Sequence, residues 1–62
     1  MWTVIYIAPT AAIAEKIQLR LSEEGFLVRA RAINLSKQQF KILVPKTEVH
    51  EAQEVLNTIL HS

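Results

Sequence analysis

Apolar residues recur along this chain with two different periods, and the switches between them mark out the elements. From Trp2 to Ala8 nearly every position is β-branched, aromatic or otherwise apolar, and Pro9 ends the run, which predicts a strand. Both of its alternating sets, Trp2/Val4/Tyr6 and Thr3/Ile5/Ile7, are largely apolar, so cover is expected on both of its faces. From Thr10 to Glu24 the spacing lengthens to three or four residues. Ile13, Ala14, Ile17 and Leu21 form the buried stripe of a helix that Thr10 caps. Gly25, the only glycine, follows at once and supplies a left-handed cap, with Phe26 folding back on the last turn.

Alternation returns after Gly25. A second strand is predicted over Phe26 to Ile33, with Val28, Ala30 and Ala32 on the helix-packed side and Leu27, Arg29, Arg31 and Ile33 on the open side. Asn34-Leu35-Ser36-Lys37 is a polar connection of hairpin length. A third strand follows from Gln38 to Val44, turning Phe40, Ile42 and Val44 to the helices and Gln39, Lys41 and Leu43 outward. Pro45 closes it. A second helix runs from Lys46 or Thr47 to Leu60 on an apolar face of Val49, Ala52, Val55, Leu56, Ile59 and Leu60.

The order βαββα within residues 1–62 predicts one α+β domain. The crossover from strand one to strand two is right-handed and the hairpin makes strands two and three neighbours. Strand three then lies between the other two, giving sheet order 1-3-2 with both helices on one face: a ferredoxin-like sandwich without its last strand. The missing strand would lie beside strand one, so Trp2 to Ala8 becomes an edge with free backbone groups and no charged residue to discourage pairing.

Composition sharpens that expectation. A chain of 62 residues buries a modest share of its surface, and this one has no cysteine to staple it. Half of its residues are apolar, which is a great deal for so small a body. Self-association is therefore expected, as a dimer or higher oligomer through the strand-one edge, the open sheet face or both. Trp2, Val4, Tyr6, Leu19 and Leu43 are the candidate interface residues. Leu19 lies on the outer side of the first helix, where it is either an ordinary exposed residue or a partner contact.

A net charge of +1 is too small for strong non-specific binding to nucleic acid. The apolar run Val4 to Ala8 is far short of the roughly 20 residues of a membrane span. No basic segment precedes it, so no signal peptide is read and a cytoplasmic location is expected.

The residues at the element boundaries carry a resemblance. Tyr6-Ile7-Ala8-Pro9, Ala14-Glu15, Leu21, Glu24-Gly25, Val44-Pro45 and Ala52 resemble a family of small prokaryotic signal-transducing proteins whose fold is similar to that of the PII nitrogen regulators. The resemblance spans nearly the whole chain and implies a regulatory role. Two positions depart from it. Thr10 stands where asparagine is expected, and the Asn34 to Lys37 connection is shorter than is usual. PII regulators use long loops for partners and nucleotide, which this chain lacks.

One cluster carries candidate binding chemistry. Arg29 and Arg31 on strand two and Lys41 on strand three place three cations on the open face, where they can hold a phosphate or carboxylate or serve as solvated or cross-interface charges. Trp2, Val4 and Tyr6 share that face if Ile5 and Ile7 turn to the helices. The resulting mix of aromatics and cations has only half the stacking platform of sheet-based RNA binders. His50 and His61 stand about 16 Å apart along a helix and cannot share a metal. His50 with Glu54 offers two ligands where a site wants three or four. There is no glycine-rich phosphate loop, no cysteine nucleophile and no serine elbow. Lys16, Lys37, Lys41 and Lys46 lack a large pocket to desolvate a Schiff-base amine. The expectation is a non-enzymatic regulatory or interaction domain, without cofactor or metal, acting as a homo-oligomer. The alternative is a module that binds a small anionic metabolite or nucleotide on its open face.

Overall fold

Thr10 and Gly25 set the limits of the first helix. In the computed structural model, which describes residues 1–34 and 39–61, the chain forms β1 (Trp2–Ala8), α1 (Ala11–Glu23), β2 (Arg29–Asn34), β3 (Gln39–Pro45), a 3-10 turn (Lys46–Glu48) and α2 (Val49–Leu60). Thr10 sits in extended backbone and its Oγ1 accepts from the Ile13 N–H at 3.2 Å. At the other end Gly25 has φ +96°. The Gly25 N–H donates to the Ser22 carbonyl and the Phe26 N–H to that of Leu21, a paired closure that satisfies two of the helix's last carbonyls. Phe26 then packs on the core, as its position beside the cap predicts.

Gly25 is a test of that closure. A Cβ there would meet nothing within 4 Å, so the cost of Gly25→Ala is backbone strain alone. It is expected to destabilise the domain by about 1–2 kcal/mol. Urea denaturation reads this directly, and Gly25→Asn, which tolerates the left-handed region better, should lose less.

The sheet has order β1-β3-β2, with β3 antiparallel to both neighbours. The outer strands are therefore parallel to one another with β3 inserted between them, as the crossover and hairpin require. The architecture is the small ferredoxin-like α+β sandwich, with both helices on one face of the sheet. Ala14, Ile17 and Leu21 of α1 and Ala52, Leu56 and Ile59 of α2 close over Ile5, Ala8, Ile42 and Val44 of the sheet. Ile13, Val49 and Val55 flank this core, half-buried.

The elements differ from the sequence reading in detail, β2 and β3 each running one residue further, to Asn34 and Pro45. β2 begins at Arg29, three residues later than the alternation suggests. The Phe26 N–H is used in closing α1, and the Leu27 N–H donates to Glu48 Oε1 at 3.2 Å, so neither is free for a ladder. Leu27 is consequently exposed rather than part of the sheet face. The predicted start of the second helix is the 3-10 turn that carries Glu48 to that amide, and α2 begins at Val49. Leu60, at the last turn of α2, is exposed instead of joining the apolar face. Asn34, predicted to open the connection, is the last residue of β2 and pairs with Gln39. Leu35 to Lys37 of the connection, and Gln38 as the first residue of strand three, lie outside the described residues.

Candidate interaction face

The candidate site is built on the side of the sheet that the helices leave uncovered. Register fixes which residues share it. Leu43 pairs with Val4 on one side and Arg29 on the other; Lys41 pairs with Ile7 on one side and Arg31 on the other. Pro45 pairs with Trp2 at the end of the sheet. Cross-strand partners point to the same face, so apolar side chains form its β1 column and cations its β2 column.

A β-bulge decides the β1 column. Val4 pairs with Leu43 and Tyr6 with Ile42, which leaves Ile5 without a partner across the ladder. Tyr6 is set opposite the buried Ile42, and Ile5 and Tyr6 both turn to the helices. Ile5 is buried, and Tyr6 packs against the core. Gln53 of α2 reaches the bulge, its Nε2 donating to the Ile5 carbonyl at 3.2 Å. After this extra residue the alternation resets, so Ile7 rather than Tyr6 stands on the open face. The sequence-based grouping of Trp2, Val4 and Tyr6 is corrected to Trp2, Val4 and Ile7, with exposures of 37, 43 and 44%.

Trp2 and Arg29 meet across the whole sheet. The Arg29 guanidinium carbon lies 4.4 Å from the Trp2 ring centroid, spanning from β2 to β1 over the β3 strand that carries Leu43. Such a cation–π contact contributes about 0.5–1 kcal/mol at an exposed site and holds the arginine in one orientation. Leu43 is half-buried in the row beneath.

The remaining cations sit in an unfavourable pairing. Arg31 and Lys41 are direct cross-strand partners, and like charges directly opposite one another destabilise a sheet. No carboxylate offsets them within the sheet, because none of the three strands contains Asp or Glu. The six carboxylates, Glu15, Glu23, Glu24, Glu48, Glu51 and Glu54, all lie on α1, its cap, the 3-10 turn and α2. The molecule is thus polarised, with an acidic helix layer and a basic sheet face. Among the described residues the contact of ion-pair geometry is His50 Nε2 to Glu54 Oε2 at 3.6 Å, an ion pair only when the imidazole is protonated, and it joins two exposed side chains on α2 where screening leaves it little weight. These two come together as their spacing implies, but no group of three or more His, Asp or Glu side chains able to hold a metal occurs among the described residues.

The structure therefore gathers Arg29, Arg31, Lys41, Trp2, Val4 and Leu43 on one face, adds Ile7, and moves Tyr6 to the core. Leu19 stands apart on α1, 59% exposed. No helix is long and apolar enough to cross a membrane among the described residues. No protein-family model, curated protein or solved structure gives a significant match to the chain.

Proposed function

We propose that this protein is a small cytoplasmic regulatory or adaptor domain that acts through protein contacts, without catalysis of its own, and that a second copy joins it along the β1 edge. The observation that carries the reading is β1 itself. It is an edge strand of seven residues without a charge, and it exposes Trp2, Val4 and Ile7 beside an edge that no other strand of the chain pairs. Antiparallel pairing of β1 with its counterpart about a two-fold axis joins the two sheets into one of six strands. The bulge at Ile5 divides that edge into two shorter straight segments, Trp2 to Val4 and Tyr6 to Ala8, which sets the register of the pairing.

The signalling role of the prokaryotic family that the chain resembles belongs to the same proposal, supported by the shared sandwich and by the boundary residues at Pro9, Gly25 and Pro45. Mass in solution tests it. Light scattering at micromolar concentration should give twice the 7.1 kDa of one chain or a higher multiple, and a mass of 7.1 kDa would overturn the proposal.

A second reading, a binding module for a small anionic metabolite or nucleotide, draws on the opposed Arg31 and Lys41. A thermal-shift series with phosphates and carboxylates checks it, with Arg31→Ala expected to abolish any shift.

A further inference from the structure

Edge pairing at β1 leaves the open sheet faces of both copies uncovered and on the same side. Building on the reading of the protein as an interaction domain, we infer that this face docks an acidic amphipathic helix of another protein. Three observations define that occupant. The uncovered face of a sheet in a two-layer sandwich can be closed by a helix, which satisfies its own backbone while its apolar stripe covers the sheet. The face is divided lengthwise, apolar along β1 at Val4 and Ile7 and basic along β2 at Arg29 and Arg31, with Leu43 and Lys41 on β3 between them. An amphipathic helix lying along the strands matches this division when one side of its apolar stripe is edged with carboxylates. Finally, the Arg31–Lys41 opposition is unfavourable in the isolated chain and becomes favourable once a carboxylate bridges the two cations.

The same charges exclude the simplest alternative occupant. Two copies stacked face to face would bring two sets of Arg29, Arg31 and Lys41 together with no carboxylate on either sheet. A stacking platform for single-stranded nucleic acid is also poorly served. The bulge turns Tyr6 to the core, and the Trp2 ring is already covered by the Arg29 guanidinium. That covered ring has a positive use: Arg29 is held in place at one end of the face, so less freedom is lost when it meets a carboxylate. Seven strand residues at about 3.3 Å each span about 23 Å, which a helix of about 15 residues covers at 1.5 Å per residue.

Trp2 is the only tryptophan and stands on the face, so its fluorescence reports occupancy. The probe is an N-acetylated, C-amidated helical peptide of about 15 residues with leucines on one stripe and glutamates along one side of it. Binding is expected to weaken at least tenfold when the glutamates become glutamines, and equally when the same residues are shuffled to break the stripe. The doubly substituted Arg31→Glu, Lys41→Glu protein should lose the acidic peptide at least tenfold and gain a lysine-for-glutamate version of it. That exchange of preference cannot arise from misfolding. Equal binding of the shuffled peptide, displacement of the striped peptide by inorganic phosphate or citrate at comparable concentration, or unchanged affinity in the double variant would overturn the inference. Light scattering on the same samples keeps the two readings separate. A monomer that binds the striped peptide contradicts self-association alone, and an oligomer that ignores it contradicts the docking helix alone.

Discussion

Replacing Ile42 by alanine is expected to bring this domain to the edge of unfolding. Ile42 lies on the central strand, is fully buried, and pairs with Tyr6 on one side and Ala30 on the other beneath both helices. Truncating such a residue costs about 2–5 kcal/mol, from lost burial and from the cavity it leaves. At about 0.05–0.15 kcal/mol per residue, a chain of this length holds roughly 3–9 kcal/mol in total. One substitution therefore removes from about a fifth of the stability to all of it. Urea denaturation of the variant should show a midpoint displaced far toward zero, or no folded baseline at all. Leu27→Ala is the companion measurement. Leu27 is 63% exposed in the turn before β2, and its truncation should stay within about 0.5 kcal/mol of the parent. Similar losses in the two variants would mean that the core is not where the sheet and helices place it.

The second large effect is on association. Val4→Lys is expected to leave the fold intact, since Val4 is 43% exposed on the open side of β1. It should nevertheless weaken self-association at least tenfold, which corresponds to about 1.4 kcal/mol. A lysine on an edge strand is the usual deterrent to strand pairing, and a two-fold contact meets every substitution twice. Sedimentation of the variant against the parent over a concentration series reads the shift. An unchanged dissociation constant would move the contact away from β1, with Leu19 on α1 the next surface to alter.

Much of the fold is legible in the residues because different physical signals agree. The lone glycine ends a helix that Thr10 begins, Pro9 and Pro45 mark the ends of β1 and β3, and the period of apolar positions changes at each of these points. The basic half of the open face is equally legible. Arg29 and Arg31 alternate with alanines, and Lys41 alternates with Phe40 and Ile42, so the two strands can present these cations on one side only. The apolar half is not legible, for a definite reason. Both alternating sets of β1 are apolar, so pattern alone assigns either set to the helices, and a bulge depends on pairing with β3 rather than on β1 itself. Pairing Tyr6 with Ile42 sends Ile5, Tyr6 and Ala8 inward and Ile7 outward, which no unbroken alternation allows. The late start of β2 has a similar origin. Phe26 to Val28 alternate like a strand, but the first two of their amides are bound by Leu21 and by the distant Glu48.

These two departures bear on the site unequally. The first changes it, exchanging a tyrosine for an isoleucine and making the β1 column aliphatic below Trp2. The second only shortens the strand that carries the arginines. What covers β1 lies beyond any pattern within one chain, because the edge groups of that strand are alike whether solvent or a second strand meets them.

Amide hydrogen exchange along β1 at micromolar and millimolar protein resolves that question residue by residue. Pairing with a second copy should slow exchange at alternate positions between Trp2 and Ala8 as concentration rises, while amides of β3, already bonded on both sides, stay unchanged. Outward amides of β1 that exchange at the same open-strand rate across that range would contradict the account.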